Sequence, residues 1–514
     1  MRASHLSYLQ HHMLPDIVGR HLSQANEWSN AVAFPTKDIV QNRNVNSDIR
    51  GVLANTLLEQ YGDLATGAVH ENIEALRAAD TLTVTTGHQL NIFTGPAFFI
   101  YKISHTIRLA EAMAKKYPEK RFVPVYWMAT EDHDFEEINH VHVYREKLTW
   151  DTPSGGPVGR MKTTGLSTLA EEFIALIKPD EHVAEMLREY AKQGNLAAAT
   201  RFLVNALFQH LGLIVLDADT PHLKAFFANE MVDDIAHGSA MDVVATLNSE
   251  ITAAGLSVQV NPRRVNLFYL ADGLRLRIDM EGEKLVAGNY QWTMDEITAE
   301  IKRNPEKFSP NVILRPLYQE TLLPNVAVVG GPGEVSYWLQ LEGLFAARNI
   351  AYPAIVMRAG GLFIASNVGT KMEKLGLSVD DFLQQPDDII RAWLLQHAAQ
   401  SLTFDVENNQ LAVLADQVKE QIATIDKSLT GKAEAMKTKW LAELDNLSKA
   451  AVKAVKQNEE VSVNQIRQIH ETLFPAGAPQ ERSRNIFVLN SNIINFFLQN
   501  LNVQVPDLLV MHQD

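Results

Sequence analysis

The chain has 514 residues, 46% of them hydrophobic, and carries 61 acidic against 46 basic side chains for a formal charge of −15. That length leaves room for about three ordinary domains, and the acidic balance excludes a general polyanion-binding surface, so nucleic acid is not an expected partner. Cysteine is absent, which excludes disulfides, thiolate metal sites and a covalent cysteine mechanism.

The N-terminal MRASHLSYLQHHML stretch has no basic start leading into an apolar run, and no eighteen-residue uncharged apolar segment follows anywhere. The expectation is a cytoplasmic protein that does not enter a membrane. Through the first two thirds, apolar strands alternate with amphipathic helices, the pattern of a parallel sheet with helices on its faces. Thr81 to Thr85 reads as a buried strand. A polar turn from Thr86 to Pro96 leads into a helix from about Ala97 to Lys116, and Arg121 to Met128 supplies the next strand. Gly212 to Leu216 and Ala351 to Met357 read as further strands. Between them Val265–Leu270 and Leu274–Ile278 flank an Ala271-Asp272-Gly273 turn, which predicts an antiparallel insertion at about 255–290. From about Gln410 to Lys456 there is no proline and apolar residues recur at steps of three and four, broken at most by Thr430-Gly431, predicting one long helix or a helical hairpin that forms a coiled coil and a dimer. The expected division is a Rossmann-like core over 1–380, a helical arm over 381–460, and a segment over 461–514 that returns to the core.

Three segments carry candidate chemistry. The first, Thr85 to Pro96, lies where a strand meets a helix. There Gly87 and Gly95 allow backbone to approach a ligand, while His88, Gln89, Asn91 and Thr94 offer polar atoms. It lacks the spacing of a P-loop. The second, Trp127 to His140, packs five carboxylates and two imidazoles into ten residues. Crowded carboxylates can raise one another's pKa toward a useful base, so Asp132 and His133 are catalytic candidates, with Glu131 and Asp134 beside them. A plain acidic helix start is the alternative. A metal held by His133 and His140 with Glu131 or Asp134 is another, but that spacing matches no common zinc motif, and no metal is expected. The third runs Arg315-Pro316-Leu317-Tyr318-Gln319-Glu320 and then Gly330-Gly331-Pro332-Gly333-Glu334, with Tyr337 just beyond. Its glycine turn can cradle a substrate, and Glu334 suits the first turn of a helix. Arg315, Arg358 and Lys102 are the candidate cations for a small anionic substrate.

TGHQLNIFTGP, EDHDFEEINH, RPLYQETLLP and VGGPGEVSYW in this order, with a helical arm and a closing LFPAGAPQER, resemble the bacillithiol biosynthesis cysteine-adding enzyme family over nearly the whole chain. The resemblance implies an α/β Rossmann-like ligase core with insertions and a dimerising coiled coil. It further implies a reaction that adds L-cysteine to the amine of glucosaminyl-malate, with ATP or an equivalent carboxyl activator. His88 departs from it, since the family's motif often carries Gln there. On that reading His88 joins Asp132 and His133 as a catalytic candidate, and Gln319, Gly331, Gly333 and Tyr337 contribute to a substrate site with the first two loops. Arg315, Lys102 or Arg358 would hold the malate carboxylates. A ligase for another carboxylate and amine pair is separated from this reading by product identity, and a non-catalytic scaffold by absence of small-molecule binding.

Overall fold

The computed structural model describes residues 1–514 apart from 26–27, 145, 272, 398–403 and 491. Two compact units result, one comprising 1–363 with 481–511 and the other 364–480 with 512–514. The boundary expected near 380 thus falls at 363/364, and the return to the core begins at Glu481.

Five strands form the central sheet of the first unit: β1 (Thr81–His88), β2 (Arg121–Met128), β3 (Ile214–Leu216), β4 (Asn325–Gly330) and β5 (Ala354–Met357). Their order is β5-β4-β1-β2-β3, all parallel. Helices cover such a sheet on both faces, so its strands are buried along their length, including the polar Thr81, Thr83, Thr85 and Thr86 of β1 and Asn325 of β4. Every residue of β4 is buried, as are seven of the eight in β2. Val84, Val326, Val329 and Val356 meet Leu109 and Met113 in the core; the last two belong to α1 (Phe98–Lys116), which joins β1 to β2.

The strand order places the site. From β1 the chain moves outward to β2 and β3, then crosses back to lay β4 on the other flank of β1. The loops leaving β1 and β4 therefore diverge, and a crevice opens at their carboxyl ends, the usual ligand position in open α/β sheets. Pairing of Gly87 with Trp127 and of Gly330 with Met357 brings four loops to this edge. Two short helices, α2 (Arg315–Leu322) and α3 (Pro332–Leu339), flank β4.

The predicted hairpin forms, Ala271 pairing with Leu274, although Asp272 of its turn lies outside the described residues. Leu267–Ala271 pairs on its other edge with Phe308–Pro310, and Asp279–Glu281, Lys284–Ala287 and Tyr290–Trp292 make a second antiparallel sheet.

In the second unit, α4 (Asp405–Ile425) and α5 (Thr430–Asn458) pack as a helical hairpin. The reversal occurs where Asp426 leaves the helix with extended backbone and its side chain accepts the Ser428 N–H. Ala415 and Ala433 are its buried contacts, and Lys437 bridges to Asp416 across the pair at 2.8 Å.

Candidate active site

Two cavities of about 430 and 340 Å³ open at the strand ends and share Trp127, Ala129, Asp132, Val312 and Arg315, so they are lobes of one cleft. The larger is bordered by Gly87, His88, Gln89, Gly331, Gly333, Glu334, Tyr337, Arg358 and Arg482. The smaller is bordered by Glu131, His133, Asp134, Phe268 and Arg275.

Asp132 stands at the junction. Its Oδ2 accepts from Gln89 Nε2 at 2.8 Å and its Oδ1 accepts the His133 N–H at 2.8 Å. The Arg275 guanidinium lies 3.2 Å from His133 Nδ1 and 4.0 Å from Asp132 Oδ1, and stacks over Phe268. One carboxylate oxygen of Asp132, one of Asp134 and a His133 nitrogen lie within 4.8 Å of one another. Arg275 already supplies a cation there, which disfavours a second one. His140 stands apart from this group, its Nδ1 bonded to the Glu136 carbonyl.

Glu131 points inward. Its carboxylate is 2.6 Å from Lys224 Nζ, which is also 2.9 Å from Asp219. Burial pushes the Glu131 carboxyl above its usual range while Lys224 opposes the shift. Burial also works against the Lys224 ammonium, but Glu131 and Asp219 together hold its pKa above the ordinary value.

Arg315 forms the opposite wall. Its Nη1 donates to Gln319 Oε1 at 3.2 Å and its Nη2 to the Tyr337 hydroxyl at 2.7 Å. Arg358 lies deeper. Burial would lower its pKa, but a two-pronged ion pair with Glu481, at 2.6 and 3.1 Å, raises it and keeps the charge. Its Nε has no hydrogen-bond partner among the described residues, and neither does His88 Nε2. His88 stacks on Phe99 and meets Phe98 edge-on. Burial, with Lys102 and Arg358 adding to it, lowers its pKa well below the ordinary value, so it is a neutral imidazole.

Several expectations are corrected by placement. Lys102 does not reach the cleft: its side chain is buried, and its ammonium is bonded to Glu334 and to the Gly87 carbonyl, so it holds two loops together instead of a substrate carboxylate. Gln319 is fully buried behind Arg315. Asn91, Thr94 and Gly95 shape the turn and do not border the cleft. Gly95 has φ +61°, and a Cβ there would lie 2.5 Å from Asn91 Cβ. The Phe93 and Gly95 carbonyls are held by Asn485 Nδ2 at 2.6 and 2.8 Å. Arg275, Phe268, Arg482 and Lys224 were missed. For Lys224 a signal existed, because Asp217, Asp219 and Lys224 follow β3 at the same edge of the sheet.

A strand-order switch holding a cleft with acidic and cationic walls, in a chain that also bears a helical hairpin, defines a Rossmann-like enzyme with an appended coiled coil. Residues 12–359 match the family model for the bacillithiol biosynthesis BshC N-terminal Rossmann-like domain, and residues 361–513 that for its C-terminal coiled-coil domain. The chain is 38% identical over 473 residues to the "Putative cysteine ligase BshC" of Flavobacterium johnsoniae, covering 91% of this chain and 88% of that one. The protein of the same name from Christiangramia forsetii is 35% identical, with 93% of each chain covered. One from Bacillus cereus strain AH187 is 27% identical over 90% of this chain and 89% of its own. The chain belongs to the BshC family of bacillithiol biosynthesis and is a ligase.

Proposed function

We propose that this ligase joins the carboxyl group of L-cysteine to the amine of glucosaminyl-malate in the last step of bacillithiol formation. The observation that carries the reading is the polarity of the cleft. Asp132 and Asp134 in one lobe, beside Arg275, offer acceptors to an amine, while Arg358 and Arg482 in the other lobe, with Arg315 between the two, suit the carboxylates of a malate. Glucosaminyl-malate carries both kinds of group.

An amide does not form from a free carboxylate in water, so the acyl group must be activated, and ATP is the co-substrate we assign to that task. Unpartnered Arg358 Nε and His88 Nε2 beside the Gly331 turn fit a phosphate-bearing group. The protein's own part is positioning and charge stabilisation. The substrate amine must be neutral to attack, and Asp132 or His133, held by Gln89 and Arg275, takes the proton it sheds.

The assignment extends to a homodimer through the coiled coil. On α4 and α5, Leu414, Met436, Trp440 and Leu447 remain 53%, 46%, 36% and 56% exposed, an apolar stripe that a second copy would cover. Among the described residues no helix is long and apolar enough to cross a membrane; the cytoplasmic site of action is part of the proposal. The test is mass spectrometry of thiol metabolites in cells with and without the protein. Glucosaminyl-malate accumulating as bacillithiol disappears is expected; an unchanged thiol pool overturns the reading in favour of a ligase for another pair.

A further inference from the structure

Behind the cleft, one buried carboxylate decides how the groups in front of it are oriented. Glu320 on α2 is 4% exposed. Its Oε1 accepts from Gln319 Nε2 at 3.0 Å and from Asn325 Nδ2 at 2.7 Å, and its Oε2 is ion-paired with Arg43. Every partner is a donor, so the group is held as an ionised acceptor.

A carboxamide has one donor end and one acceptor end, and Glu320 takes the donor end of both neighbouring amides. Gln319 must then turn its oxygen outward, where it accepts from Arg315 Nη1. Asn325 likewise turns its oxygen to the hydroxyls of Thr83 and Thr85 on β1. Were the Gln319 amide reversed, its NH2 would face the guanidinium, donor against donor. The second tether, from Arg315 Nη2 to Tyr337, leaves the guanidinium held at both terminal nitrogens. Of its five N–H groups, the other three have no partner among the described residues, and Arg315 borders both lobes of the cleft.

We propose that Glu320 is a positioning residue for anion recognition: acting through Gln319, it fixes the Arg315 guanidinium as the anchor for a substrate carboxylate. A guanidinium locked in one plane binds a carboxylate without first losing rotamer freedom, and that advantage appears in binding and not in the chemical step. The inference deepens the proposed ligation, because the carboxylate it assigns to Arg315 is that of the malate.

The test is steady-state kinetics of the full chain with ATP, varying glucosaminyl-malate and cysteine separately. Gln319→Met removes the acceptor and leaves the Glu320–Arg43 pair intact. We expect KM for glucosaminyl-malate to rise about tenfold, or ~1.4 kcal/mol, with kcat within about twofold and KM for cysteine unchanged. Glu320→Gln shifts the same KM in the same direction; where loss of Arg43's counter-charge prevents folding, Gln319→Met decides alone. In an Arg315→Ala background Gln319→Met adds nothing, since the group it orients is gone. An unchanged KM for glucosaminyl-malate in folded Gln319→Met protein overturns the proposal, as does a full further tenfold effect without Arg315. If the unmodified protein forms no product from this pair, the ligation reading fails separately. Calorimetric titration with malate alone then tests the anchor: weaker binding to Gln319→Met supports it, and equal binding, or none to either protein, overturns it.

Discussion

Asp132 joins the two lobes, and its two oxygens are oriented by Gln89 and by the His133 backbone. If it takes the amine's proton, Asp132→Ala lowers kcat by roughly 10²- to 10⁴-fold, and the deficit shrinks at alkaline pH, where the amine is already neutral. A pH profile of kcat for both proteins checks this, and an unchanged kcat removes Asp132 from the role. His105 on α1 carries a different consequence. It is fully buried, its Nδ1 accepts the Ala359 N–H at 2.9 Å, and burial lowers its pKa to about 4 from 6.5. The unfolded chain therefore takes up the proton first, so stability is full above pH about 6.5 and is lost as pH falls toward about 4, by up to about 3 kcal/mol from this group. Melting temperature against pH should show that slope, reduced in His105→Asn, which keeps an acceptor without the titration. The acidic cluster after β2 and Arg315 were legible at this scale because unusual residues crowd one short stretch. The role of Lys102 was not, since a lysine in a helix reads the same whether it faces solvent or turns inward to pair with Glu334 some 230 positions away.

At the scale of elements, the Gly331 turn is stabilised from within. Glu334 accepts the Gly331 N–H at 3.0 Å at the start of α3 and pairs with buried Lys102, so one carboxylate caps the helix and neutralises an interior ammonium. Glu334→Gln should therefore cost roughly 3 kcal/mol, near the low end for a broken buried pair because Glu334 is itself 29% exposed. Calorimetric unfolding measures it, and a loss no larger than that of an exposed pair such as Glu74–Arg77 would contradict it. The strands β2 and β5 were readable from their apolar runs, and β1 from its β-branched residues. Arg275 and Phe268 were hidden because the insertion that carries them announces itself only as a hairpin. Nothing in its alternation tells which face meets the strand ends, since that depends on pairing with Phe308–Pro310, about 40 residues on.

For the whole molecule, the helical hairpin was legible as a periodic stripe. The break expected at Thr430-Gly431 lies one turn past Asp426, where the reversal begins, and the reversal ends where Thr430 opens α5. Exposed Trp440 and Met436 on that hairpin lead to a further expectation: the protein sediments as a dimer, and Trp440→Glu shifts it toward monomer in analytical ultracentrifugation. A wild-type monomer at all concentrations would contradict the assignment. The return of the C-terminal segment to the core was legible in outline, and it is residues 481–511 that rejoin the first unit, with Asn485 clamping the Phe93–Gly95 turn. The central claim is ligation, and the most direct measurement is mass spectrometry of a reaction containing purified protein, L-cysteine, glucosaminyl-malate and ATP. The account predicts a new thiol with the mass of the two substrates less one water, absent without protein. Nucleotide turnover or binding with no such product would contradict it.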